Sequence, residues 1–169
     1  MSKPERKNQI KKILFFVSLI FFVQNAAYAA DIIRVGDLVL SNAWGRTSTS
    51  IKRPSAVYLQ IRNTSSISDR LIMVHTPIAK RGELHSHLIE NGVIKMRHLK
   101  HINIPATKVT SLKPGGLHVM LFGLNSLLKK GDKFPISLTF ENAGQATVLV
   151  HIEDVGSMKL NKNKTRHAH

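Results

Sequence analysis

The stretch ELHSHLIENGVIKMRHLKHINIPATKVTSLKPGGLHVMLFGL, residues 83–124, carries the pattern from which the fold of this chain is best predicted. Its Asn91-Gly92 pair lies between apolar residues, which is the strongest short-range signal of a β-hairpin. If Asn91 and Gly92 are the two central residues of a type I′ turn, Glu90 pairs with Val93. The same register then follows for every earlier and later residue of the two strands.

Continued along the hairpin, that register places His87 opposite Met96 and His85 opposite His98. Cross-strand partners share a face of a sheet, and so do alternate residues of one strand. We therefore expect these four side chains to project to the same side.

A second His/Met pair lies on a later predicted strand, where His118 and Met120 are two residues apart and share a face. Ten residues separate His85 from Met96, and twenty-one separate Met96 from His118. If the two strand-borne pairs meet, they form a pocket of two imidazoles and two thioethers. A single methionine more often fills a core, so the prediction depends on the four residues together.

The donor set of imidazole nitrogen and thioether sulfur suits copper, and Cu(I) above all. Thioethers have little affinity for magnesium or calcium, and structural zinc sites normally recruit thiolate. The chain has no cysteine, which also argues against a blue-copper electron carrier, since that centre requires a thiolate. The sequence therefore predicts a copper site.

The rest of the chain, from residue 31 onward, consists of short apolar or alternating segments separated by turns. Seven to nine such strands predict an all-β sandwich. Segment 124–130 is expected to form one short helical turn, and the single tryptophan, Trp44, is expected to pack as a core residue. The predicted strands outside the hairpin include 32–35, 38–43, 56–61, 70–74, 117–122, 136–140 and 146–152.

The N-terminal segment has the features of a secretory signal peptide. Basic residues precede an eleven-residue apolar run, 13–23, and Ala27-Tyr28-Ala29 offers a small-x-small cleavage site. The run is shorter than the roughly 20 residues that span a bilayer, so no stable membrane anchor is expected. We predict a signal peptide at 1–29, an exported domain at 30–155 in the bacterial periplasm, and a disordered basic tail at 156–169.

Composition excludes other function classes. Without residues 1–29 the chain keeps 20 basic and 9 acidic residues, a formal net charge of +11. These charges are scattered, and aromatic residues for base stacking are few, so nucleic acid is not expected as a partner. Neither a glycine-rich phosphate loop nor a nucleophile motif is present, so the protein is not expected to be an enzyme.

These residues resemble the periplasmic copper chaperone family PCuAC, whose pattern is His, ten residues, Met, twenty-one residues and His-x-Met. His85, Met96, His118 and Met120 match all four positions. The resemblance implies a cupredoxin-like (Greek-key) β-sandwich that binds Cu(I) near its surface. It also implies delivery of copper toward the CuA centre of cytochrome c oxidase, alongside Sco-type proteins. Supporting similarity is found around Trp44 and in 58–63, 83–85, 95–97 and 112–118.

Three further histidines are candidate accessory ligands. Family members often carry a methionine two residues after the first histidine, where this chain has His87. Either His87 faces solvent, which is the interpretation we favour, or it adds a harder nitrogen donor and shifts preference toward Cu(II). His167 and His169 resemble C-terminal extensions that hold a second copper ion, Cu(II). Two alternatives to a chaperone stay open: a copper-buffering or resistance protein without a dedicated acceptor, and an interaction sandwich that binds no metal.

Overall fold

The computed structural model describes residues 31–90 and 93–154, which form eleven β-strands and no helix. None of these residues belongs to a helix that is long and apolar enough to cross a membrane. The predicted signal peptide, the predicted tail and the turn residues Asn91 and Gly92 lie outside the described residues. The strands are β1 (Ile33–Val35), β2 (Leu38–Arg46), β3 (Ser55–Asn63), β4 (Asp69–His75), β5 (Ala79–Glu90), β6 (Val93–Leu99), β7 (Ile102–Ile104), β8 (Val109–Leu112), β9 (Leu117–Leu124), β10 (Lys133–Phe140) and β11 (Gly144–Glu153).

The strands join into one sheet in the order β6-β5-β9-β3-β2-β11-β10-β4-β7, with β1 added to β2 and β8 added to β3. Among the described strand pairs, β2 with β11 is parallel and the others are antiparallel. The sheet curls on itself, because β4 and β5 are far apart in this order and yet pack together. A Cβ atom built on Gly82 of β5 would lie 3.0 Å from the carbonyl oxygen of Val74 on β4. The result is a barrel-like sheet, and the prediction of an all-β fold is confirmed.

The interior of this sheet holds one hydrophobic core, produced by the two-residue period of the strands. On β10 the buried positions are Phe134, Ile136, Leu138 and Phe140, and exposed or half-buried residues separate them. Fully burying a side chain of this size stabilises the fold by roughly 1.5–3 kcal/mol. The chain has no cysteine and hence no disulfide, so its stability comes from this core and from the strand hydrogen bonds.

A bulge in β2 decides which way Trp44 points. Between Ser41 and Trp44 the register with β3 shifts, and Asn42 adopts a positive φ of 54°. One extra residue in a strand moves every later side chain to the opposite face. Gly45 therefore faces core residues, with a built Cβ 3.1 Å from Ile152 Cδ1. Trp44 points outward and is half-buried, so the expectation that it is a core residue was wrong.

The expected helical turn at 124–130 is also absent from the structure. Here the backbone bonds to distant segments instead of to itself. Asn125 N donates to the carbonyl of Ile78, and Ser48 N donates to the carbonyl of Leu128. Leu128 is 5 % exposed and belongs to the core. Packing of that side chain holds the segment in an irregular conformation that overrides its weak local preference for helix.

Candidate metal site

The predicted hairpin register is confirmed. Strands β5 and β6 pair so that His87 lies opposite Met96 and His85 opposite His98. Strand β9 pairs with the other edge of β5 and places His118 opposite His85. The three strands therefore carry their histidines as one row across the sheet, with His85 at its centre.

The histidine row lies on the outer face of the sheet, opposite the hydrophobic core. Leu84 and Val119, which alternate with the histidines along β5 and β9, belong to the core cluster. Met120 shares the outer face with His118 and lies opposite Glu83 in register. Strand alternation thus brings all four predicted ligands to one face of three neighbouring strands: His85, Met96, His118 and Met120.

His118 is the most buried of these histidines, at 2 % exposure. Its Nδ1 lies 2.9 Å from the carbonyl oxygen of Gly116. Because a carbonyl oxygen only accepts, Nδ1 carries the proton and Nε2 keeps its lone pair. Nε2 is buried and has no hydrogen-bond partner among the described residues. This arrangement is typical of a metal-binding imidazole, whose second nitrogen is fixed by a hydrogen bond.

The surroundings of His118 favour its neutral form. Burial lowers its pKa from the ordinary 6.5, and the nearby charges of His87, His85 and Arg46 act in the same direction. The hydrogen bond to Gly116 opposes the shift without cancelling it. A neutral imidazole is the form that binds a metal ion, so the lowered pKa keeps the lone pair of His118 free at lower pH than in an ordinary histidine.

His85 is held by a carboxylate. Its Nε2 lies 3.0 Å from Oε2 of Glu83, two residues earlier on the same face of β5. The carboxylate accepts the Nε2 proton, so the lone pair of His85 is on Nδ1. That atom is buried and without a partner in the described part of the chain. Arg81 approaches the other carboxylate oxygen of Glu83 at 3.4 Å.

The two methionines have opposite exposures. Met120 is 8 % exposed and fills space beside His118 on β9, whereas Met96 is 48 % exposed. Met96 lies on β6, which ends the described order of strands. One thioether is therefore part of the packed face, and the other is within reach of solvent and of a second protein.

His87 is not a fully solvent-facing residue. It is half-buried, its ring centroid lies 4.8 Å from that of His118, and its Nδ1 is buried without a partner among the described residues. The interpretation that we favoured from the sequence differs from this placement, because His118 of the neighbouring strand covers one side of the ring. Whether His87 binds metal stays a prediction, and His167 and His169 lie outside the described residues.

Aromatic side chains surround the histidines on this face, and the sequence analysis did not predict them there. Tyr58 on β3 packs against Trp44, with ring centroids 4.5 Å apart and the rings tilted by 38°, and it lies 6.4 Å from the ring of His118. Burial raises the pKa of Tyr58, although the charge of Arg46 opposes the shift. Phe122 lies 6.0 Å from His85. Phe122 follows Met120 by two residues, so strand alternation could have found it.

Nitrogen and oxygen donors alone do not complete a site here. Within residues 31–90 and 93–154, no three histidine or acidic side chains are already grouped so that they could hold one metal ion. Among the predicted ligands, His85 and His118 have free buried nitrogens, and their ring centroids lie 5.9 Å apart. A site at this point must therefore add thioether sulfur or bring another imidazole closer.

Comparison with known proteins identifies relatives of this chain. The family model described as "Putative lipoprotein LpqE-like" matches residues 38–152. The putative lipoprotein Lxx21020 of Leifsonia xyli subsp. xyli (strain CTCB07) is 30 % identical over 116 residues, which are 68 % of this chain and 69 % of that protein.

Solved structures share the fold. The copper-bound PCuAC domain from PmoF2 matches with a TM-score of 0.63 and 23 % identity, over 73 % of this chain and 97 % of that domain. The Cu(I) form of DR1885 from Deinococcus radiodurans matches with a TM-score of 0.55 and 27 % identity, over 78 % of this chain and 85 % of that chain. The cupredoxin-like fold expected from the sequence is thereby confirmed.

Proposed function

Since the chain belongs to the LpqE-like family, which is PCuAC-like, we propose that it is a copper chaperone that binds Cu(I) through His85, Met96, His118 and Met120. One observation carries the proposal. Two buried imidazole nitrogens without partners, His85 Nδ1 and His118 Nε2, lie on adjacent strands of one face that also bears both methionines.

The donor chemistry supports Cu(I). Thioether and imidazole donors without any thiolate favour a soft monovalent ion over zinc, calcium or magnesium. The Cu(I) form of DR1885, which is 27 % identical to this chain, is in keeping with this choice.

The exposures of the ligands support a role in transfer. His118 and Met120 are buried and anchor the ion on β9, whereas Met96 is half-exposed on β6. An acceptor could displace Met96 first and the buried ligands afterwards, so that copper is never released into water. We propose a carrier of this kind, without enzymatic activity of its own.

The proposed place of action is the bacterial periplasm, after export through the signal peptide at 1–29. The proposed acceptors are the CuA subunit of cytochrome c oxidase and a Sco-type protein. We also propose that His167 and His169 hold a second ion, Cu(II), in the tail.

The first test is an anaerobic titration of Cu(I) into the protein against a competing chromophoric chelator. We expect one tight equivalent in the wild type and weaker binding in Met96→Ala and Met120→Ala. The matched control is Met73→Ala, because Met73 is an exposed methionine on β4, a strand that carries none of the proposed ligands. Wild-type affinity in both ligand variants would refute the site.

A second measurement separates a chaperone from a copper buffer. The Cu(I)-loaded protein is mixed with a CuA domain or a Sco-type protein, the two are separated, and copper is measured in each. Rapid transfer of copper to the acceptor supports the chaperone. If this protein binds Cu(I) tightly and keeps it in the presence of the acceptor, its function is copper buffering.

A further inference from the structure

A group of unpaired buried nitrogens on the metal face is larger than a two-histidine site requires. In the described part of the chain, three ring nitrogens are buried without a hydrogen-bond partner: His85 Nδ1, His87 Nδ1 and His118 Nε2. Outside this group the same condition is met by Arg46 Nε. Most buried polar atoms are paired, so three exceptions on one face call for a common explanation.

The rings are spaced as imidazoles around one ion would be. Two imidazoles that share a metal at a nitrogen–metal distance of about 2.0 Å have ring centroids about 5–6 Å apart. The centroid of His118 lies 4.8 Å from that of His87 and 5.9 Å from that of His85. The three donors do not yet surround one point, so binding requires rotation of the side chains.

The position of His87 beside Met96 offers different donor atoms to Cu(I) and to Cu(II). The two residues are direct cross-strand partners in the hairpin, so a harder nitrogen donor and a softer sulfur donor lie side by side. Cu(I) accepts thioether sulfur readily, whereas Cu(II) favours nitrogen and oxygen donors.

We propose that His87 is a third imidazole ligand, which with His85 and His118 gives this site a binding mode for Cu(II). In that mode the ring of His87 replaces the sulfur of Met96, which stays the ligand for Cu(I). This proposal rests on the copper site of the proposed function and adds a second oxidation state to it. The protein therefore retains copper that reaches it as Cu(II).

His98 provides a matched control on the same face. Its ring lies 5.5 Å from that of His85 in an edge-on arrangement, but the side chain is exposed. If any histidine near the site could serve, His98 would serve as well as His87. The buried unpaired nitrogen distinguishes His87 from it.

The test uses the full chain with His167→Ala and His169→Ala, so that the tail contributes no imidazole. One equivalent of Cu(II) is added, and pulsed electron paramagnetic resonance counts the imidazoles bound to the ion. Affinity for Cu(II) is measured by competition with glycine, and affinity for Cu(I) by the anaerobic titration above.

We expect three bound imidazoles in this parent protein and in His98→Ala, and two in His87→Ala. Affinity for Cu(II) should fall at least about tenfold in His87→Ala. Loss of a residue that only supports a metal ligand already lowers metal affinity by about 10–100-fold, and His87 is proposed to be a ligand itself. Affinity for Cu(I) should fall less. His87→Met places at this position the thioether that family members often carry. This variant should bind Cu(I) as the parent does and lack the third imidazole.

An unchanged number of imidazoles in His87→Ala would overturn the inference, as would an equal loss in His98→Ala. Circular dichroism and thermal unfolding of the copper-free variants show whether the fold is intact, and His87→Met is the second variant if His87→Ala does not fold. The two proposals fail separately. A parent that binds no Cu(I) refutes the chaperone, whereas normal Cu(I) binding with a Cu(II) site indifferent to His87 refutes this inference alone.

Discussion

Glu83 should set the copper affinity although it is not itself a ligand. Its carboxylate accepts the Nε2 proton of His85 at 3.0 Å and so leaves the lone pair on Nδ1. In Glu83→Ala the acceptor is lost, and the ring of His85 is free to change tautomer or to rotate. Removing such a partner of a ligand typically lowers metal affinity by about 10–100-fold. That range corresponds to about 1.4–2.7 kcal/mol of binding free energy.

Folding should be affected much less than binding. The Glu83 side chain is 26 % exposed, so the interaction is partly screened by water. We expect the unfolding free energy of the copper-free protein to fall by about 1 kcal/mol or less. If the copper-binding free energy falls by more than the unfolding free energy does, the cause is the lost orientation of the His85 ring and not general destabilisation.

The assay combines Cu(I) competition titration with nuclear magnetic resonance of the histidine ring nitrogens, which identifies the tautomer of His85. Glu83→Gln keeps an acceptor oxygen and should lie between the wild type and Glu83→Ala. Arg81→Ala is the control, because Arg81 is a 67 % exposed partner of the same carboxylate and should change the affinity little. Wild-type affinity and an unchanged tautomer in Glu83→Ala would refute the reasoning.

Three further outcomes are expected. Met120→Leu should weaken Cu(I) binding and change the unfolding free energy by less than about 1.5 kcal/mol, whereas Met120→Ala should also lower the unfolding free energy, measured by urea denaturation, by about 2–5 kcal/mol. If Met120→Leu binds copper as tightly as the wild type, sulfur at this position is not needed. Met96→Ala, at an exposed position, should change stability by less than about 0.5 kcal/mol and still weaken Cu(I) binding, and a loss of stability without a loss of binding would contradict this. The copper-free protein should lose stability as the pH falls from 6.5 toward the lowered native pKa of His118, because the unfolded chain takes up the proton first. Urea titrations over this pH range should show a smaller slope in His118→Gln, and an equal slope would refute that assignment.

The part of the site that could be predicted is the part fixed by local geometry. A two-residue loop at Asn91 and Gly92 determines the whole register of β5 and β6, so the pairing of His87 with Met96 followed from the sequence. Alternation along β9 placed His118 and Met120 on one face in the same way.

What could not be predicted depends on contacts between distant segments. Nothing local indicates that β9 pairs with the free edge of β5. The bulge at Asn42 reverses the direction of Trp44, and a strand pattern does not reveal one extra residue. The partners that fix the imidazole tautomers, Glu83 and the carbonyl of Gly116, depend on side-chain and turn geometry that strand periodicity does not specify.

The parallel pairing of β2 with β11 sets an order for folding. His151 pairs with Trp44 although they are 107 positions apart in the sequence. We call the pairing of 151–153 with 44–46 the β2–β11 seam. Contacts between such distant positions carry a higher entropic cost of loop closure than a local hairpin does, so we expect them to form later. The hairpin of β5 and β6 is local, and β9 follows it closely in the chain. The face that carries the histidines can therefore assemble before the β2–β11 seam joins the two halves of the strand order.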